Sequence, residues 1–133
     1  MPRALTEAPH GRRLRGTRAD AAGRRAEEAA EAALIADGWT VLARRARTGA
    51  GEIDIVAERG GLLAFVEVKA RPSLAEAAHA LRPSQRARLV AAADCWLAEN
   101  PGHGAAGIRF DVLLVVGDGT VRRVADAFRV GDG

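Results

Sequence analysis

Two short runs, Gly51-Glu52-Ile53-Asp54 and Glu67-Val68-Lys69, hold the residues of this 133-residue chain best suited to chemistry. Successive side chains of extended backbone face opposite ways, so Glu52 and Asp54 share one face of their strand, and Glu67 and Lys69 one face of theirs. Ile53, Ile55, Val66 and Val68 then take the other faces. If the faces match across a hairpin, two or three carboxylates and one ammonium meet in an otherwise apolar sheet. Like charges buried together are costly unless a cation joins them. Oxygen ligands without a partnering histidine or cysteine favour Mg²⁺ or Mn²⁺ over zinc. A second reading makes these the solvated charges of an edge strand, with Glu67 paired to Lys69. The apolar density of Leu62 to Val68 favours a central strand over that alternative.

Lys69 is the single lysine of the chain; the other nineteen of its twenty basic side chains are arginine. A position that keeps lysine suggests a need for a compact ammonium aimed at one oxygen rather than a broad guanidinium fork. One survivor is also compatible with chance, and what distinguishes it is the company of Glu67 and Asp54.

The elements that must position these residues follow from periodicity. Alanines with Glu27, Glu28, Glu31, Leu34 and Ile35 predict a helix from Ala21 to Ala36, stopped by Asp37-Gly38. Trp39 to Arg45 reads as a strand, Thr48 to Gly51 as a turn, and Glu52 to Ala57 as a strand. Arg59-Gly60-Gly61 turns the chain into Leu62 to Lys69, and so short a link makes an antiparallel hairpin. A short helix around Leu74 to Leu81 is expected next, then a longer one over Ser84 to Ala98 with an apolar stripe at Leu89, Ala92, Ala93, Trp96 and Leu97. Ile108 to Val116 reads as a strand buried on both faces, and Val121 to Ala125 as a last strand. This order predicts an α/β fold, a mixed and roughly five-stranded sheet covered by helices.

The length fits one core, placed over residues 21–130, behind an arginine-rich arm of residues 1–20. Seven arginines stand against Glu7 and Asp20 in the first 25 residues, whereas the remainder is slightly acidic, so the overall charge of +3 is concentrated at one end. Such a segment suits attraction to a polyanion, or is simply a solvated tail. One cysteine, Cys95, forbids an internal disulfide and suits a reducing, cytoplasmic setting. No apolar stretch reaches membrane-spanning length, so no membrane partner is expected.

The ordered set Gly-Glu-Ile-Asp, thirteen residues from Asp54 to Glu67, then Glu-x-Lys resembles the PD-(D/E)xK signature of restriction-endonuclease-like nucleases. More closely, the chain resembles the YraN-like family of small bacterial proteins. The segments that carry this are Gly23 to Ala30, Gly51 to Ala57, Phe65 to Arg71, Arg109 to Val112 and Ala127-Phe128. The resemblance implies a three-layer α/β/α core with the site on the central hairpin, similar to archaeal Holliday junction resolvases. It implies a Mg²⁺- or Mn²⁺-dependent nuclease acting on DNA, with branched DNA among its candidate substrates. Asp54, Glu67 and Lys69 match its catalytic residues; Asp54 and Glu67, with Glu27 and the Val68 carbonyl, match its metal ligands. Alternatives are a non-catalytic nucleic-acid-binding protein and an interaction subunit of a larger complex. A homodimer is plausible because junction-cleaving relatives need two sites.

Arg44, Arg45, Arg47 and Arg71 are candidates for gripping the nucleic-acid backbone, and Gln85 for a phosphate or water where the family often has lysine. Ala26 likewise stands where the family usually has glycine. Glu52 stays open between a second metal ligand, a partner for Arg47 and an exposed strand charge. His10, His79 and His103 read as surface residues, Trp39 and Trp96 as core, Cys95 as a packing residue, and Asp111 as a hydrogen-bonded structural acid.

Overall fold

A computed structural model of the chain describes residues 11–73 and 83–128. Helix α1 (Gly11–Ala36) leads into strands β1 (Thr40–Thr48), β2 (Gly51–Arg59) and β3 (Leu62–Ala70). Helix α2 (Pro83–Glu99) follows, then β4 (Gly107–Val115) and β5 (Val121–Phe128). The helix expected from Ala21 thus begins at Gly11, within the predicted arm; the short helix expected over 74–81 lies outside the described residues.

The five strands form one mixed sheet in the order β1-β2-β3-β4-β5, which places β3 at its centre and removes the edge-strand reading of Glu67 and Lys69. Only β3 and β4 run parallel, with Leu62 opposite Gly107 and Ala70 opposite Val115. A parallel pair needs a crossover, and α2 lies on it.

The termination of α1 is local chemistry. Gly38 adopts φ 90°, its N–H donates to the Ile35 carbonyl, and the Trp39 N–H donates to the Leu34 carbonyl, which is a Schellman ending. The accompanying apolar contact is between Leu34 and Trp39, both buried in one cluster with Ala30, Ile55, Ala57, Ala64, Val66 and Leu113. On the opposite face α2 buries Leu89, Ala92, Ala93 and Trp96 against Ile53, Val56, Leu63, Phe65 and Phe110. Phe65 meets Trp96 edge-on and stacks with Phe110, each at 5.8 Å between centroids. The sheet therefore carries one helix on each face, the expected three layers.

Strand β2 departs from strict alternation. Ile53 packs on the α2 side but Ile55 on the α1 side, so the expectation that they share a face is corrected. The β2–β3 ladder runs from Arg59 opposite Leu62 to Ile55 opposite Val66, and no further pair joins these strands. Beyond Ile55, β2 keeps its pairing with β1 while β3 keeps its pairing with β4, so the two central strands part at Asp54.

Candidate active site

Asp54 sits at this fork. Its Oδ2 accepts a hydrogen bond from the Val68 N–H at 2.8 Å, taking the place of a ladder carbonyl where the strands separate. A buried backbone N–H needs an acceptor, and here a β2 side chain supplies it. Glu67, adjacent on β3, is only 6% exposed, and its Oε2 lies 3.3 Å from the Lys69 ammonium. Burial pushes the Asp54 carboxyl up to about 7, and the nearby Glu67 charge adds to the rise. The Val68 N–H and the Lys69 charge oppose this, whereas Glu27 reinforces it. The fork therefore holds an acid that resists ionising near neutral pH, first because it is poorly solvated and second because another carboxylate lies close by.

Arg88 of α2 was not foreseen. Its guanidinium approaches Glu67 Oε2 at 3.8 Å and donates to the Glu52 carbonyl at 3.3 Å. It lies one helical turn after Gln85, on the same stripe, and that spacing was the available signal. Gly51 makes room for it: φ there is 138°, and an added Cβ would stand 3.3 Å from the Arg88 side chain. Gln85 itself is half-buried in the first turn of α2.

Glu27 enters from α1, one and two turns before Ala30 and Leu34 on the buried stripe. Its Oε1 accepts from Arg45 Nε at 2.7 Å. Arg45 is the non-glycine residue of the described backbone with positive φ, 50°, inside β1. Arg44 pairs with Glu31 at 3.0 Å, so two of the arginines expected to grip nucleic acid are engaged with α1. Arg47 is largely exposed and its Nε lies 3.7 Å from the exposed Glu52 carboxylate, the pairing that one of the open readings of Glu52 expects. Arg71 follows Lys69 closely and donates one N–H to the Ala70 carbonyl.

Among the described residues no three His, Cys, Asp or Glu side chains converge as a metal-holding group. Two of the three expected carboxylates do meet. Asp54 and Glu67 are hard oxygen donors whose mutual repulsion a dication would relieve, and that fits Mg²⁺ or Mn²⁺. Glu27 is bonded to Arg45 but stands near enough for its charge to raise the Asp54 carboxyl further.

Other readings resolve simply. Asp111, 1% exposed, accepts from Arg109 at 3.1 Å and Arg123 at 2.9 Å, a structural acid as expected. Trp39 and Trp96 are buried, and Trp39 lies beneath the guanidiniums of Arg59 and Arg123. His103, expected at the surface, is half-buried, bonds Glu58 at 3.1 Å and packs against Trp96. The Gly104 N–H, followed by His103, holds the Glu58 carboxyl below its usual range. No helix of the described residues is long and apolar enough to cross a membrane.

Fold and site together define a small α/β protein with a mixed sheet, one helix on each face, and an acidic fork beside a lysine in the central hairpin. The chain belongs to the family described as uncharacterised protein family UPF0102, whose family model matches residues 26–115, in keeping with the YraN-like resemblance. It is 59% identical over 119 residues to a UPF0102 protein of Granulibacter bethesdensis, covering 90% of this chain and 75% of that one. A UPF0102 protein of Bradyrhizobium diazoefficiens is 50% identical over 103 residues, 77% of each chain. One from Rhodopseudomonas palustris is 45% identical over 125 residues, covering 94% and 93%.

Proposed function

We propose that this protein is a divalent-metal-dependent nuclease that hydrolyses DNA phosphodiester bonds, with Asp54, Glu67 and Lys69 as its catalytic residues. The observation that carries the reading is the fork itself: the half-buried Asp54 and buried Glu67 carboxylates share one space, and the lone lysine of the chain lies 3.3 Å from Glu67. Asp54 and Glu67, with the Val68 carbonyl, would hold the cation. When bound there, Mg²⁺ or Mn²⁺ supplies positive charge at the phosphate and acidifies the attacking water.

The chain's own residues do the rest. Val68 fixes the Asp54 carboxylate through Oδ2, leaving Oδ1 for the site. Glu67 holds the Lys69 ammonium, whose N–H donors orient the attacking water or stabilise charge developing on the phosphate oxygens. Arg88 offsets part of the Glu67 charge from the α2 side. Arg47 and Arg71 offer exposed or partly exposed positive charge to the backbone on either side.

Incubation of the full chain with linear, flapped and four-way-junction DNA in Mg²⁺ or Mn²⁺ tests the reading. Cleavage is expected, and is expected to vanish in Asp54→Ala and Lys69→Ala; cleavage that survives both sinks the mechanism. One observation favours a non-hydrolytic nucleic-acid-binding role instead, namely that Arg45 occupies Glu27. Binding without cleavage by the wild type would select that reading.

A further inference from the structure

On the α1 side of the sheet an open cleft of about 930 Å³ lies between α1, the end of β3 and the β4–β5 turn. Two arginines line it: Arg25, two residues before Glu27, and Arg71, two residues after Lys69. Between them the walls are small and apolar, with Ala26 and Ala29 of α1 facing Pro72 and Val116. Gly117 closes one end, and its size is what lets the turn lie so near: a Cβ there would meet the Pro72 carbonyl oxygen at 3.0 Å, while the Gly117 N–H already donates to that oxygen at 3.3 Å. Arg44, Arg45, Arg59, Arg109 and Arg123 all pair with carboxylates. Among the described residues neither Arg25 nor Arg71 does, although Asp118 stands on the rim.

From this combination, and resting on the nuclease reading above, we infer that the cleft seats one unpaired nucleotide adjoining the scissile phosphate, its phosphate on Arg25 and Arg71 and its base or sugar against the alanine and proline walls. The volume is that of a small-molecule pocket. Duplex DNA presents phosphates but keeps its base faces in the stack, so it can satisfy the guanidiniums and leave the apolar walls empty. An unpaired nucleotide offers an anion and a flat apolar face together. The substrate class is therefore DNA with an unpaired end or flap rather than continuous duplex.

Fluorescence anisotropy of the full chain, without divalent metal, on a blunt duplex and on the same duplex carrying an unpaired tail tests this. The wild type should bind the tailed DNA about tenfold tighter, the ratio that burial of one base or sugar face against the apolar walls provides. That ratio should survive Arg25→Gln, which weakens binding of both DNAs, and collapse toward one in Ala29→Leu. The second variant fills the cleft without altering charge, and circular dichroism verifies that both are folded. Equal affinity of the wild type for the two DNAs, or for neither, overturns the inference, as does a ratio that survives Ala29→Leu. Cleavage with Mg²⁺ separates the two readings. Hydrolysis without tail preference removes only the cleft, whereas tail preference without hydrolysis removes only the nuclease activity.

Discussion

The Asp54 carboxylate accepts the Val68 N–H at 2.8 Å, and this bond bridges β2 and β3 where the ladder between them ends. Without a side-chain acceptor, the Val68 N–H would be a buried donor at the end of a broken ladder. With it, the strands diverge and Asp54 and Glu67 are left facing one space.

That position has a pH signature. The Asp54 carboxyl is raised from 3.8 to about 7, so between those values the folded chain keeps a proton that the unfolded chain has released. The stability from this group is full below about pH 4, declines as pH rises to about 7, and is flat above. Asp54→Asn retains an oxygen acceptor for Val68 but removes the titration. Its melting temperature should exceed that of the wild type by a margin that grows from about pH 4 to about pH 8. Thermal unfolding across that range measures the margin, and a constant difference would contradict the origin assigned to the shift.

Lys69→Arg keeps a positive charge near Glu67 but replaces a point donor by a wide fork in a half-buried place. Turnover should fall at least about tenfold while DNA binding and the unfolding midpoint stay close to wild type. Equal turnover would make the lone lysine an accident of composition.

Calorimetric titration of Mn²⁺ into wild type and Glu67→Ala examines the donor pair directly. Removing one of two carboxylates from a hard-cation site should weaken binding at least about tenfold. Unchanged binding would leave Glu67 as no more than the counter-ion of Lys69.

Arg45 carries backbone strain that its bond to Glu27 offsets. Arg45→Ala and Arg45→Gly both abolish that bond, but only glycine relieves the positive φ. The glycine variant should be the more stable by about 1 kcal/mol in urea unfolding. Equal stabilities would show that the β1 backbone relaxes when the arginine is gone.

Asp111→Asn should be the most damaging of these changes. It would leave Arg109 and Arg123 without their buried carboxylate and cost about 3 kcal/mol by urea unfolding. Asp37, the other carboxylate bonded to Arg123, is exposed, and its loss should cost about 1 kcal/mol or less.

The sequence by itself determined the strands, the long helices and which strand would hold Glu67 and Lys69. These depend on local signals: the Leu89-Ala92-Ala93-Trp96 stripe and the Gly38 stop are each written within a few residues of sequence. The density of apolar residues in β3 also indicated a central strand, and the sheet order agrees. What periodicity misled was β2, where strict alternation put Ile53 and Ile55 on one face. Only the tertiary structure decided that the ladder ends at Ile55, because the acceptor that replaces it comes from a side chain fourteen residues from its donor. It likewise decided that Arg88 reaches Glu67, that Glu27 turns to Arg45, and that Arg25 and Arg71 share a cleft. Each of these depends on where a helix lands on the sheet. Helix placement is set by the packing of two apolar faces far apart in the chain, and no local pattern encodes it.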